Sequence, residues 1–159
     1  MDKKLLEKGI ENAHWKIKKY DKNGELYEES EIEGNALLDE GANLLTELIG
    51  STGGTEWNSS NAYLGVGDSS ASTETDMTGL QGSSTYKGME DGYPTYGTDQ
   101  KITWKASFAS DEANHDWQEF TVSNDSTDND GTNLNRTTSD EGTKSEGQTW
   151  ELELEITFS

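Results

Sequence analysis

Residues 149–158 read TWELELEITF, and this stretch decides the fold. Its apolar residues alternate with polar ones, so that in an extended chain one face carries Trp150, Leu152, Leu154, Ile156 and Phe158. A strand with one apolar and one polar face is typical of antiparallel sheets, whereas strands of a parallel sheet covered by helices are apolar on both faces. The stretch therefore predicts a strand of an antiparallel β-sandwich or barrel.

Two earlier segments extend the same prediction. Residues 102–108 read ITWKASF and alternate in the same way, and a further strand is predicted over Trp117–Ser123, after the turn-prone residues 110–114. Residues 124–147 are polar and are predicted to form a long loop. The predicted core combines residues of these three strands: Trp104, Phe108, Trp117, Phe120, Trp150, Leu152, Leu154, Ile156 and Phe158.

The N-terminal part predicts a hairpin preceded by an arm. Trp15, Ile17 and Lys19 alternate with other residues, and Asp21–Gly24 (DKNG) ends in Asn-Gly, which tolerates the positive φ values of a tight turn. A second strand is predicted over Leu26–Ile32. We divide the chain into a mixed-charge arm, residues 1–12, and a single β-sandwich domain with long polar loops, residues 13–159.

One short helix is predicted, over Asn35–Ile49, because Leu and Ile recur there at three- and four-residue spacing. Asn35 is the predicted N-cap, and Gly41 should weaken the middle of the helix by about 1 kcal/mol relative to Ala. The apolar face should cover a sheet. Residues 62–67 (AYLGVG) predict a short buried strand, and the following 30 residues, which hold few apolar side chains, are predicted to be an irregular run pinned by those side chains or ordered by a partner.

The charge excludes two classes of partner. The chain of 159 residues has 12 Lys and Arg against 32 Asp and Glu, a net charge of -20. Such a surface repels phosphate, so we expect no nucleic-acid partner and no anionic membrane partner. No segment approaches the roughly 20 apolar residues of a membrane-spanning helix, and residues 1–12 lack the apolar run of a secretory signal. Without Cys, disulfides and thiolate metal sites are excluded.

The sequence offers little that points to catalysis. His14 and His115 are the only imidazoles, and neither has metal-binding spacing. Asp125–Gly131 (DSTDNDG) resembles a calcium loop, but aligning Gly131 with the sixth loop position puts Thr137 at the twelfth, where Glu is needed. A solvated turn is therefore favoured over a weak calcium site. Nucleophile-elbow, phosphate-loop and dinucleotide motifs are also missing, so we expect no enzyme, no cofactor and no metal.

Several motifs in chain order carry a resemblance. They are W-x-I-x-x-Y-D-x-x-G from Trp15, NALLDEGANLL (35–45), YLGVGDSSASTETD (63–76), ITWKASF (102–108) and EANHDWQEFTVSN (112–124). From about Trp15 to its end the chain resembles virion structural proteins of tailed bacteriophages. The resemblance implies a jelly-roll-like β-sandwich that either decorates the capsid as a cement protein or forms part of a tail or head fibre. No catalytic motif belongs to it.

The leading functional hypothesis is a capsid decoration protein on the outer capsid surface of the virion. It would bind the major capsid protein, form a homotrimer and strengthen the shell. The alternative is a tail or head fibre module that binds a host-surface glycan, and a glycan hydrolase is a third possibility suggested only by the number of carboxylates. The predicted capsid-binding residues of the arm are Lys3, Lys4, Leu5, Leu6, Lys8 and Ile10. The predicted glycan platform is Trp57, Tyr86, Tyr93 and Tyr96.

Overall fold

A computed structural model describes residues 12–34, 36–51, 53–128 and 130–158, which form two five-stranded antiparallel sheets and one helix. The first sheet has the order β2-β1-β10-β7-β6 and the second the order β3-β9-β8-β4-β5. The bounds are β1 Asn12–Tyr20, β2 Leu26–Glu33, β3 Ala36–Leu37, α1 Asp39–Gly50, β4 Tyr63–Gly67, β5 Ser84–Gly88, β6 Thr95–Thr98, β7 Lys101–Phe108, β8 Glu119–Ser123, β9 Asn135–Thr138 and β10 Thr149–Thr157. The predicted mainly β, antiparallel sandwich is confirmed; its jelly-roll connectivity stays a prediction.

The core lies between the two sheets and is built on tryptophan. Trp117 packs edge-on against Phe108, with 5.0 Å between ring centroids, and against Trp150, at 4.9 Å. Trp15 of β1 meets Phe120 of β8 at 5.9 Å, so the aromatic contacts join the first sheet to the second. Eight of the nine predicted core residues are buried.

The ninth predicted core residue, Phe158, is 40% exposed, so its assignment to the core was wrong. Strand β10 ends at Thr157, and Ile156 opposite Ile102 is the last inward-facing pair of the β10–β7 ladder. The alternation continues to Phe158 in the sequence, but this residue lies beyond the paired strand, at the open end of the sandwich. There it lines a groove described below.

The outer face of the first sheet alternates columns of acidic and basic residues. Lys16 on β1 lies between Glu31 of β2 and Glu153 of β10, and Lys18 lies between Glu29 and Glu151. On the other side of β10, the Nζ atom of Lys105 is 3.4 Å from a carboxylate oxygen of Glu151, and that of Lys101 is 3.2 Å from one of Glu155. The polar face predicted for β10 is therefore the solvent-facing side of the first sheet. Most of its charged side chains lie opposite a side chain of the opposite charge on a neighbouring strand.

Several predicted boundaries were wrong. The helix begins at Asp39, not at Asn35, because Ala36 and Leu37 pair with β9 as strand β3. Strand β8 begins at Glu119, since the backbone N–H of Trp117 bonds instead to the carbonyl of Gly142. Segments predicted as loops contain three additional short strands, β5, β6 and β9. Strand β1 begins at Asn12, within the predicted arm.

Candidate functional site

A groove of about 910 Å³ lies at the end of the sandwich where β7 begins and β10 ends. It lies between the β6–β7 hairpin on one side and helix α1 with the loop after it on the other. We call it the aromatic groove and define it by Leu48, Trp57, Tyr96, Ile102, Trp104 and Phe158. The lining is mainly apolar, as is usual for small-molecule and peptide sites.

Two indole groups hold the floor of the aromatic groove in place. The Nε1–H of Trp104 donates to the carbonyl of Trp57 at 2.9 Å, and the Nε1–H of Trp57 donates to the carbonyl of Thr132 at 3.0 Å. Both side chains are buried. The chain of bonds ties β7, the loop after α1 and the segment before β9 together, so the floor is preorganised for a ligand.

The rim carries apolar side chains that are open to solvent. Tyr96 of β6 is 73% exposed, and Phe158 is 40% exposed. Asp99 and Gln100 form the tight β6–β7 turn with φ values of 55° and 56°, and the carbonyl of Gln100 accepts a hydrogen bond from the backbone N–H of Phe158 at 2.9 Å. This bond fixes the C-terminal end of β10 against the hairpin, and it sets Phe158 at the rim.

The charges around the groove are mostly acidic. Glu56 and Asp99 line it, and among the described lining residues Lys101 is the sole cation. The Nζ atom of Lys101 lies 3.2 Å from a carboxylate oxygen of Glu155, on the outer face of the sheet. An occupant would therefore meet an apolar floor and an acidic rim, an arrangement that favours apolar groups carrying positive charge over anionic ligands.

The residues of the predicted glycan platform are not brought together. Trp57 and Tyr96 line the groove, but Tyr86 and Tyr93 lie elsewhere. The hydroxyl of Tyr86 donates to the carboxylate of Asp128, and the ring of Tyr93 has the Nζ atom of Lys105 5.7 Å from its centroid. Sequence reasoning missed Phe158 and Ile102 as groove residues, because their alternation places them with the core.

The arm residues Lys3, Lys4, Leu5, Leu6, Lys8 and Ile10 lie outside the described residues. The prediction that they bind a capsid therefore stays a prediction.

The loop Asp125–Gly131, for which the sequence favours a solvated turn over a weak calcium site, is organised around Asp128, whose carboxylate turns toward the second sheet. It accepts hydrogen bonds from the Ser84 hydroxyl at 2.6 Å, from the Leu80 backbone N–H at 3.3 Å and from Tyr86. Burial, followed by the hydrogen bond and the charge of Asp128, raises the pKa of Tyr86 well above its usual range. Among the described residues, no three His, Asp or Glu side chains are placed to hold a metal ion. Asp128 thus acts as a clamp between the loop and strand β5.

A second polar cluster, missed by the sequence analysis, anchors the segment before β5. The Nε–H of Arg136 donates to Glu119 at 2.9 Å, and the carboxylate of Glu119 also accepts the backbone N–H groups of Gln81 and Gly82. Arg136 reaches further, to the carbonyl of Ala71 at 2.8 Å. This buried ion pair explains how a run with few apolar residues is held on the domain.

Comparison with known protein families, with curated proteins and with solved structures found no match for this chain.

The described helix is too short and too polar to cross a bilayer.

Proposed function

We propose that this protein is a capsid decoration protein, which binds the outer surface of a tailed-phage head through the major capsid protein and stabilises the shell. The observation that carries the proposal is the use of charge in the described domain. Most cations of the described domain take part in ion pairs or hydrogen bonds within it, so its remaining surface charge is strongly acidic. Three further lysines, Lys3, Lys4 and Lys8, belong to the sequence of the arm.

The internal use of cations is specific. Lys16, Lys101 and Lys105 pair with glutamates on the outer face of the first sheet, at 3.2 to 3.7 Å. Lys144 is buried and donates to the Ala109 carbonyl and to Asn114, at 2.7 and 2.8 Å. Because these cations are engaged within the domain, few are available to contact phosphates. The domain can therefore be present beside packaged or free genome without binding it.

Lys19 is used in the same way. Its side chain is 4% exposed, its Nζ atom lies 4.4 Å from the centroid of a Trp150 ring, and it donates to the Glu141 carbonyl at 2.6 Å. The ammonium group thereby joins β1, β10 and the loop before β10. Such tying of loops to the sandwich suits a protein that works by resisting deformation of a shell.

Shell binding falls, in this proposal, to the arm with Lys3, Lys4 and Lys8. Each arm would contribute modest affinity, and a homotrimer binding three equivalent shell sites would gain strength by multivalency. The trimer would also shield the edge strands of the two sheets, β2, β6, β3 and β5, from unwanted pairing.

Copy number in purified virions tests the proposal directly. Decoration requires hundreds of copies per particle, measured by quantitative gel or mass spectrometry against the major capsid protein. A dozen or fewer copies would contradict decoration and favour a fibre.

Heating tests the mechanical role. Heads stripped of this protein should release DNA at a lower temperature than intact heads, and re-addition of the purified full chain should restore the difference. Deletion of residues 1–11 should abolish that restoration while leaving the circular dichroism spectrum of the domain unchanged. Stripped heads that retain DNA as well as intact ones would reject the proposal.

The aromatic groove supports a second candidate, a tail or head fibre module that binds a host-surface glycan. Buried Trp57 and exposed Tyr96 both line the groove, and the Tyr96 ring, with Asn58 and Gln100 beside it in the lining, offers stacking and hydrogen bonds to a sugar. A glycan array probed with the full chain separates the two functions. Selective binding that Tyr96→Ser abolishes would favour the fibre.

A further inference from the structure

We propose that Lys144 and Asn114 form an intramolecular isopeptide bond, in which the side-chain nitrogen of Lys144 replaces the amide nitrogen of Asn114 and ammonia is released. The two residues belong to separate loops, since Asn114 lies between β7 and β8 and Lys144 lies between β9 and β10. The bond would join these loops covalently in a chain that has no Cys for a disulfide. The proposal concerns the free protein and does not rest on a role in the virion.

The two reacting groups are already in contact. The Nζ atom of Lys144 lies 2.8 Å from the Oδ1 atom of Asn114. Because Cγ is bonded directly to Oδ1, a small rotation of the Asn114 side chain brings Nζ to the roughly 3–3.5 Å from Cγ that a near-attack arrangement needs. Both groups belong to one folded chain, so the encounter is intramolecular and its entropic cost has been met by folding.

Backbone contacts set Lys144 beside the loop that carries Asn114. The backbone N–H of Lys144 donates to the carbonyl of His115 at 3.1 Å. The preceding residue, Thr143, forms a β-bridge with Asp116. The residue that follows Asn114 in the chain is therefore bonded to Lys144 itself, which fixes the register of one loop against the other.

The Asn114 amide is held in a defined orientation. Its Nδ2–H donates to the carbonyl of Ser110 at 3.0 Å, and this bond directs Oδ1 toward Lys144. Ala113 turns the chain with a φ value of 52°, and its carbonyl accepts the Nε1–H of buried Trp117 at 3.1 Å. The turn that carries Asn114 is thus anchored to the core.

Burial favours the nucleophilic form of Lys144. The residue is 1% exposed, and the acceptors of its Nζ–H groups, the Ala109 carbonyl and Asn114, are uncharged. Burial lowers the pKa of Lys144, against smaller opposing effects of the Glu112 and Asp111 carboxylates. The neutral amine, which has the lone pair that attack requires, is therefore more populated than in an exposed lysine. Amide formation also removes a positive charge from a buried position, which favours the product.

The step balances without a cofactor or an oxidant. The lone pair of neutral Nζ attacks Cγ of Asn114, the Cγ–Nδ2 bond breaks, and its electron pair leaves with the nitrogen. One Nζ proton passes through solvent to Nδ2, which departs as ammonia and takes up the proton that Lys144 lost on becoming neutral. Asn114 is exposed, so water can carry the proton and ammonia can escape. Attack on the Ala109 carbonyl would instead displace a backbone nitrogen that stays tethered beside it and can return.

The intact mass of the purified full chain tests the proposal. It should lie about 17 Da below the mass calculated for the chain, because one ammonia is lost. Prolonged incubation of the folded protein at physiological temperature should bring the reaction to completion. Lys144→Arg and Asn114→Ala should each abolish the deficit. The matched control, Lys101→Arg at the ion pair with Glu155, should retain it.

Tryptic digestion locates the bond. Trypsin cleaves after Lys105, Arg136 and an unmodified Lys144, but an amidated Lys144 resists cleavage, so residues 106–136 should be recovered joined to residues 137–159. A full chain that keeps its calculated mass after incubation would overturn the proposal. So would the same mass deficit with residues 106–136, 137–144 and 145–159 recovered separately, since ammonia would then have been lost by succinimide formation at an Asn and not by cross-linking.

Discussion

Glu119 at the start of β8 and Arg136 on β9 form an ion pair in which neither side chain has any exposed surface, with the Arg136 Nη2 atom 2.8 Å from a Glu119 oxygen. The pair lies at the centre of contacts to Ala71, Gln81 and Gly82, which belong to a segment with few apolar side chains. The ion pair holds this segment against the second sheet, because the segment has too few apolar side chains to be held there by their burial.

The first prediction concerns removal of one partner. Arg136→Met leaves the Glu119 carboxylate buried without its cation, and we expect the free energy of unfolding to fall by about 3–5 kcal/mol. The double variant Glu119→Gln with Arg136→Met should recover part of this loss, because no uncompensated charge remains. Urea unfolding measures all three proteins. Lys101→Met, at a half-exposed ion pair, is the control and should cost about 1 kcal/mol or less; an equal loss in both single variants would contradict the assignment.

The second prediction concerns Gly41 in the middle of α1. Helix propensity alone makes Gly41→Ala stabilising by about 1 kcal/mol. The expected effect in this fold is destabilising, since a Cβ atom at this position would overlap the carbonyl oxygen of Leu134 and lie 2.6 Å from its Cα atom, and the backbone there cannot easily move. We expect Gly41→Ala to lower the melting temperature.

Gly50 provides the matched comparison at the end of the same helix. A Cβ atom there meets nothing within 4 Å, so Gly50→Ala should be neutral or mildly stabilising. If Gly41→Ala raised the melting temperature as much as Gly50→Ala, the close approach of α1 to the segment before β9 would be wrong.

The third prediction separates the two ends of the predicted core. Phe108 is fully buried, whereas Phe158 is 40% exposed. Phe108→Ala should therefore lower the free energy of unfolding by about 3–5 kcal/mol, as expected for loss of a buried aromatic ring. Phe158→Ala should cost well under half as much. Equal losses in chemical denaturation would return Phe158 to the core.

The alternation of apolar and polar residues was enough to predict the sandwich and most of its core. It worked for β1, β7 and β10 because each has a dry face and a charged face, so that any register slip would bury a lysine or glutamate. Alternation failed at Phe158 because it reports the periodicity of a strand and carries no information on where the facing layer stops.

The short strands and the groove could not be predicted in the same way. Strands β5, β6 and β9 have four or five residues each. Strand β5 is held by Asp128 and strand β9 by Glu119, and in sequence these two residues are indistinguishable from other acids. The groove combines residues of α1, β6, β7 and the C-terminal end, and only the tertiary arrangement brings them together. Trp57 and Tyr96 were identified in the sequence as candidate binding residues, and both line the groove. The sequence analysis grouped them with Tyr86 and Tyr93, which lie elsewhere.

The last prediction is a pH dependence that arises from Tyr86. Its burial and its bond to the Asp128 carboxylate raise the pKa of the phenol in the folded protein, whereas in the unfolded chain it titrates near 10.0. Above pH 10 the unfolded state therefore loses a proton that the folded state retains, so stability falls as pH rises. For one such group the loss is about 1.4 kcal/mol per pH unit above the unfolded pKa. Between pH 9 and pH 11, the free energy of unfolding of the wild type should therefore fall by about 1.4 kcal/mol more than that of Tyr86→Phe. Urea unfolding at the two pH values measures this difference, and Tyr96→Phe, at the exposed rim, controls for the loss of one phenol. If Tyr86→Phe and the wild type lost stability in parallel, the hydroxyl of Tyr86 would not be clamped by Asp128 in solution.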